Sequence, residues 1–378
     1  MEFRDLKQQY SVLRAEIDQA VSRVLSDADF ISGRAVAELE GELAGYVSAR
    51  HCISCANGTD ALSLAMMAWG LGPDDAVFVP DFTFFSTAEV VAHAGATPVF
   101  VDVDEDTFNI DPEKLEAAIV ETAAAGALAP RAVVAVDLFG LCADYAQIRP
   151  IAEKHGLLLL EDAAQGFGGS RGGRMACSFG DISTTSFFPA KPLGCYGDGG
   201  AVFTDDDGAA ELLRSLRIHG KGGDKYDNVR IGLNSRLDTL QAAILKVKLK
   251  AFREAELAKV NEVAGYYSER LGGRVAVPRV PDGYISSWAQ YTIRLAGAAQ
   301  REAVMAHLKA QGIPSMVYYR KPLHRQGAFA ALSVPDAGFE RTIRLCDTVL
   351  SLPMHPYMTE EDVARVSGAV LEGLGGNG

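Results

Sequence analysis

One lysine stands out for its surroundings. Lys191 lies in Ser186-Phe187-Phe188-Pro189-Ala190-Lys191-Pro192-Leu193-Gly194-Cys195-Tyr196-Gly197-Asp198-Gly199-Gly200, between an apolar run and a glycine-rich loop. Most lysines are solvated surface residues. This one is flanked by two prolines and few polar groups, a setting in which desolvation lowers an amine's pKa and makes it a usable nucleophile and base. The glycines let backbone pass close to a ligand. A second feature is the apolar run Leu157-Leu158-Leu159-Leu160 ending in Glu161-Asp162-Ala163-Ala164-Gln165. It places an acid at the carboxyl end of a presumed central strand, the edge where open α/β sheets bind ligands. A carboxylate there requires donors or a cation. A pyridinium N–H is a suitable partner: by keeping a ring nitrogen protonated, Asp162 would let the ring accept electrons from a carbanion. As a helix cap or salt-bridge partner Asp162 reads equally well.

Two further segments are weaker. In Asn57-Gly58-Thr59-Asp60 a strand ends in a small-residue turn that opens a helix, so backbone N–H groups and the helix dipole face one spot suited to a phosphate. A plain helix N-cap accounts for the same tetrapeptide. Asn234-Ser235-Arg236, before a long helix, offers an amide and a guanidinium to an anionic ligand, although an arginine near a helix start is commonplace. Cys52 and Cys55 have C-x-x-C spacing, but no second pair or histidine cluster completes a metal site, and HCISCANG reads as a buried strand.

These residues need a scaffold, and the chain supplies one pattern repeatedly. Apolar runs at 52–55, 76–79, 98–103, 133–138, 157–161, 183–187 and 201–204 alternate with helical periodicity at 61–69, 86–94, 112–119 and 145–154. That alternation predicts a mostly parallel sheet wrapped by helices. Amphipathic helices over 5–25 and 36–47 precede it, and 237–271 reads as one or two long helices. Beyond them, segments at 288–295, 301–311, 315–319, 339–348 and 360–371 predict a smaller α/β domain. The expected division is therefore 1–250, the large domain with its N-terminal helices, and 251–378, the small one. A chain of 378 residues exceeds what one core usually organises. Its 48% hydrophobic and 22% charged residues match an ordinary globular protein, and its formal charge of -13 argues against nucleic-acid binding, which needs a basic surface. The charged opening MEFRDLKQQY lacks the apolar region of a signal peptide, and no run is long enough to span a bilayer, so no membrane partner and a cytoplasmic location are expected. The six scattered cysteines read as reduced thiols.

Taken in order, Phe3-Arg4-Asp5-Leu6, ANGTDAL, EDAAQ, SFFPAKPLGCYGDGGA, NSRLDTLQAA and Leu352-Pro353-Met354-His355-Pro356 resemble the DegT/StrS family of sugar aminotransferases over nearly the whole chain. The resemblance implies the fold type I architecture of pyridoxal 5'-phosphate enzymes, with pyridoxamine 5'-phosphate as the intermediate form. It makes Lys191 the Schiff-base lysine and the base that shuttles the 1,3-proton, and pairs Asp162 with the ring nitrogen. Gln165 would contact the phenolic oxygen, and Phe84, in DFTFFSTA, would stack on the ring. Gly58 and Thr59 would give backbone amides to the phosphate, Ser186 a hydroxyl, and Asn234 would reach in from a neighbouring subunit, which implies a homodimer with shared active sites. The family's dehydratases carry histidine where this chain has Lys191, so the resemblance favours a ping-pong transaminase fed by an amino acid, usually glutamate. A hydride mechanism is disfavoured, because GDGGA lacks the strand, G-x-G-x-x-G and helix context of a dinucleotide site.

The same motifs look closest to enzymes that aminate UDP-2-acetamido-2-deoxy-3-oxo-glucuronate, where an arginine matching Arg236 meets the sugar carboxylate. A C4 aminotransferase for a UDP- or dTDP-4-keto-6-deoxy sugar is the alternative substrate reading, and a non-catalytic regulatory protein that binds the cofactor is the alternative of another class. Tyr318, Tyr319 and His324 are further substrate-contact candidates. Their segment, Val317-Tyr318-Tyr319-Arg320-Lys321-Pro322-Leu323-His324, departs from those enzymes by carrying Tyr where His is frequent and Arg where Pro is usual. Arg320 and Lys321 suit a diphosphate or the open surface. His219 reads best as an ordinary loop residue.

Overall fold

In the computed structural model, which describes residues 1–224 and 226–375, the apolar runs become one seven-stranded sheet. The strands are β1 (His51–Cys55), β2 (Asp75–Pro80), β3 (Thr97–Val101), β4 (Ala129–Val136) and β5 (Leu158–Asp162), then, after a hairpin of β6 (Ser170–Arg171) and β7 (Arg174–Met175), β8 (Ile182–Ser186) and β9 (Gly200–Thr204). Spatial order is β1-β9-β8-β5-β4-β2-β3. Strand β9 runs antiparallel to both neighbours and the remaining pairs are parallel. The strands are apolar almost throughout because helices cover both faces.

Each of the seven strands expected for the sheet is present, with ends that differ by up to a few residues. The 133–138 run leaves the sheet after Val136, and Leu138–Gly140 forms a 3-10 turn in which Phe139 adopts φ 57°. Cys52 and Cys55 are both buried in β1, in separate cores on opposite sides of the sheet. Side chains three apart on a strand point to opposite faces, so this pair packs rather than acting together.

Helices α1 (Leu6–Asp27) and α2 (Arg34–Val47) pack against α8 (Thr239–Ala251), while α3 (Gly58–Ala68), α4 (Ser86–His93), α5 (Pro112–Ala125), α6 (Tyr145–Lys154) and α7 (Asp207–Leu216) flank the sheet. The long helical pattern at 237–271 is a single rod. A π-helical turn, Phe252–Glu256, joins α8 to α9 (Leu257–Leu271). Phe252 buries in the sheet's core, whereas Val260 onward buries with the C-terminal elements. Those elements are α10 (Ala298–Ala310), α11 (Glu340–Thr348), α12 (Glu360–Gly375) and an antiparallel ribbon of β11 (Tyr291–Arg294) and β12 (Val349–Leu352). The short β10 (Tyr284–Ile285) returns to pair with β6. Residues 376–378, the end of the expected second domain, lie outside the described residues. The 315–319 stretch is not a strand: only Met316 bridges to Ser351, and the chain then turns towards β2 and β5. Among the described residues no helix is long and apolar enough to cross a membrane.

Candidate active site

The carboxyl ends of β5 and β8 deliver the two groups of interest. Asp162 is the last residue of β5 and is buried. Strand alternation turns its neighbour Glu161 to the other face, where that carboxylate accepts from the Cys177 and Phe179 amides (2.6 and 2.7 Å) and the Ser183 hydroxyl (2.7 Å). Asp162 instead accepts from Thr87 Oγ1 at 2.9 Å and the Ala164 amide at 3.2 Å. Burial pushes its pKa up, and the Ala164 amide, the charge of Lys191 and the Thr87 hydroxyl pull against that rise. Lys191 follows β8 in a loop whose return is held by the Cys195 amide on Phe187 O (2.7 Å). Burial lowers its pKa, Asp162 opposes the drop, and the nearby charge of Arg4 adds to it. Acid and amine, 29 residues apart in sequence, are thus brought close enough for each charge to bear on the other.

The other residues expected from the sequence take the following places. Gln165 is buried, its Oε1 accepting from the Phe139 amide (2.8 Å) and its Nε2 donating to the Tyr319 hydroxyl (3.2 Å). The start of α3 abuts the end of β8: a Cβ added to Gly58 would sit 2.7 Å from that of Ser186. Asn57 caps the helix by accepting from the Asp60 amide at 2.8 Å. The amides of Gly58 and Thr59, first in the helix, have no intrahelical acceptor. Gly200 allows the close pass of β9, since a Cβ there would lie 2.5 Å from Asn57 O. Phe84 leaves 54% of its surface open. Tyr318 is half-buried, edge-on to Phe3 and to Tyr319.

His324 is turned inward. Its side chain is 1% exposed, with Nδ1 2.6 Å from Asp81 and Nε2 3.1 Å from Asp336. Both ring nitrogens face carboxylates, and through Asp81 the ring clamps the end of β2. Arg320 pairs with Glu302 at 2.8 Å. Asn234 and Arg236 lie apart from Lys191 in sequence but beside β1, where Ser235 Oγ accepts from the Ala56 amide (3.0 Å). Arg236 helps line a cavity of about 860 Å³ with His219, Lys221, Arg230 and Ile231, among others, and Lys191 is not in its wall. Two positioning groups escaped the sequence reading. Thr87 bonds Asp162, and Arg4 donates to Pro192 O at 3.3 Å, beside Lys191. The signal for Thr87 was its place in DFTFFSTA, four residues after Thr83, which faces it hydroxyl to hydroxyl at 3.4 Å.

The model of the DegT/DnrJ/EryC1/StrS aminotransferase family matches residues 11–371. The chain belongs to this family. It is 45% identical to the UDP-2-acetamido-2-deoxy-3-oxo-D-glucuronate aminotransferase of Pseudomonas aeruginosa, over 98% of this chain and 99% of that protein. It is 42% identical to a pleiotropic regulatory protein of Geobacillus stearothermophilus, over 97% of each. A crystal structure of a family aminotransferase from Brucella abortus superposes with a TM-score of 0.96 at 49% identity, covering 100% of both chains. NtdA of Bacillus subtilis, solved with bound cofactor PMP, gives 0.87 at 29% identity over 96% of this chain and 82% of that one. The protein is a sugar aminotransferase of the fold type I, pyridoxal-phosphate-dependent class. Its residues fit that cofactor on their own chemistry. A helix start opened by a glycine suits a phosphate, a buried acid suits a pyridinium, an open phenylalanine face suits a ring, and a desolvated amine suits an aldehyde.

Proposed function

We propose that this chain moves an amino group from an amino acid, glutamate by preference, to the C3 ketone of UDP-2-acetamido-2-deoxy-3-oxo-glucuronate, working as a homodimer. Pyridoxal phosphate, when bound, supplies an electron sink for the carbanion formed at the substrate's carbon. The protein's own groups do the rest. Lys191, its pKa lowered by burial, holds the cofactor and carries the proton from one carbon to the other. Asp162, held by Thr87 and Ala164, keeps the ring nitrogen protonated, and the ring's positive charge in turn favours the carboxylate against its burial. Gln165 would donate to the ring's phenolic oxygen and Phe84 would offer it an aromatic face. Gly58, Thr59 and Ser186 receive the phosphate, joined by Asn234 of a second copy of the chain.

What carries the substrate choice is the basic cavity: His219, Lys221, Arg230 and Arg236 gather there in a chain of net charge -13. Such a wall suits a nucleotide diphosphate and a uronate carboxylate, which a bidentate guanidinium recognises well. The likeness to the Pseudomonas enzyme over the full chain supports the same substrate. Beside the cavity Val229, Ile231, Phe30 and Ile31 are exposed, Ile231 by 87%, and an apolar rim of this kind supports a partner subunit covering it.

The test is a panel. Enzyme preloaded with an amino group from glutamate and freed of 2-oxo acid is mixed with UDP and dTDP sugars bearing 3-keto or 4-keto groups, with and without the carboxylate, and amino-sugar release is followed by mass spectrometry. The 3-keto uronate should react fastest. A faster 4-keto-6-deoxy sugar would overturn the substrate proposed here. No release from any sugar of the panel, by protein that binds cofactor, would overturn it as well.

A further inference from the structure

The amide of Gln165 has only one possible orientation. The Phe139 N–H can only donate, so the atom 2.8 Å from it is the oxygen, and the nitrogen must face the Tyr319 hydroxyl. One N–H of Gln165 is spent on Tyr319 and the other remains for the ring. Tyr319 itself is fixed by packing, its ring edge-on to Phe82 at 5.8 Å and 75°. Phe82 belongs to the same loop as Phe84, so Tyr319 bears on both the amide beside the ring and the segment that carries its platform. Burial, chiefly, holds the phenol well above its usual pKa, with the charge of Asp162 adding to the rise, so the hydroxyl stays neutral at any working pH and keeps a proton of its own to donate. It comes from the 316–319 segment of the C-terminal part, anchored by the bridge of Met316 to Ser351 in β12.

We infer that Tyr319 is a positioning residue: it holds the Gln165 amide against the phenolic oxygen of the bound ring, and through that contact sets the acidity of the lysine-bound cofactor. This inference rests on the roles given above to Lys191 and Gln165. It predicts an effect on the resting holoenzyme before any sugar is present, which a residue that only touches substrate would not have.

The experiment is a spectroscopic pH titration of the holoenzyme's visible band in wild type, Tyr319→Phe, Gln165→Met and the double variant. Tyr319→Phe keeps the ring that packs on Phe82, and far-ultraviolet circular dichroism checks the fold. A donor lost from the oxygen's surroundings should move the titration midpoint by about 0.5–1 unit. The Gln165→Met shift should be at least as large, and the double variant should shift no further than Gln165→Met alone, because Tyr319 acts through the amide. A midpoint in Tyr319→Phe within about 0.2 unit of wild type, or shifts that add in the double variant, overturns the inference. Wild-type protein that takes up no cofactor at Lys191, showing no visible band that Lys191→Ala abolishes, overturns the parent reading instead, and the two failures are told apart by that band.

Discussion

Thr87→Val isolates one hydrogen bond at the centre of the site. Threonine and valine have nearly the same shape, so the change removes the Oγ1 donor to Asp162, 2.9 Å long and buried, and leaves the packing on α4 intact. The carboxylate would keep only the Ala164 amide at 3.2 Å among its hydrogen bonds within the described residues. A hydrogen bond to a charged group contributes about 1.5–3 kcal/mol, and 1.36 kcal/mol corresponds to one pKa unit, so the acid's pKa should rise by about 1–2 units. The Thr83 hydroxyl, 3.4 Å from that of Thr87, is the nearest substitute donor and sets the lower end of that range.

The sign follows from which form loses support. Thr87 donates to the ionised carboxylate, so its loss disfavours ionisation, and a higher pH is needed to restore the charge that holds the ring nitrogen's proton. In a pH profile of kcat/KM for the glutamate half-reaction, the acid limb of Thr87→Val should move up by about one unit, with activity down by about 10-fold or more on that limb and approaching wild type at high pH. Thr87→Ser, which retains a hydroxyl, should stay within about 3-fold of wild type. If the acid limb of Thr87→Val coincides with that of wild type and kcat/KM stays within about 2-fold throughout, Asp162 does not depend on Thr87 and the electrostatic account of the site is refuted.

Other perturbations test other parts. Gly58→Ala puts a methyl group 2.7 Å from the Ser186 Cβ and should weaken cofactor binding by about 10-fold or more, measured as the dissociation constant from fluorescence titration. Arg236→Met should raise KM for a uronate-bearing sugar by about 10-fold or more while leaving the glutamate half-reaction unchanged, seen by comparing the two half-reactions in stopped flow. His324→Ala leaves Asp81 buried without its imidazole partner and should cost about 3 kcal/mol in urea unfolding. Burial disfavours charge on His324, but the bonds to Asp81 and Asp336 outweigh it and raise its pKa. The stability it adds is therefore complete below the pKa of an unfolded histidine and fades as pH rises through the folded value, so the deficit of the variant should shrink from acidic to alkaline buffer.

The parts of this molecule that were readable in its sequence are those where one local rule decides. A fully covered parallel sheet demands apolar runs of strand length, and all seven announced themselves, down to the acid that ends β5. Lys191 was legible because a solvated surface lysine is seldom set between prolines and a glycine-rich loop. Where two rules compete, the reading was incomplete. Glu161 and Asp162 are adjacent acids, and only the direction of the pleat sends one to a ring of backbone amides and the other to Thr87. His324 was a substrate-contact candidate with no local feature to place its ring, which Asp81, 243 positions away, holds inside. Residues 315–319 have the composition of a strand, but a single bridge at Met316 is all the pairing they find, and the chain then leaves the C-terminal ribbon to bring Tyr319 to Gln165. A strand signal measures what a segment can do alone; the partner that overrides it is set by tertiary contacts that no window of sequence contains. The same limit governs Asn234, exposed, and Arg236, half-buried, on either side of the Ser235 that meets the Ala56 amide after β1. Under the function proposed above they complete an anion site of a second copy, so solution mass of the holoenzyme together with half-reaction kinetics on Asn234 variants tests that proposal as directly as any substitution at Lys191.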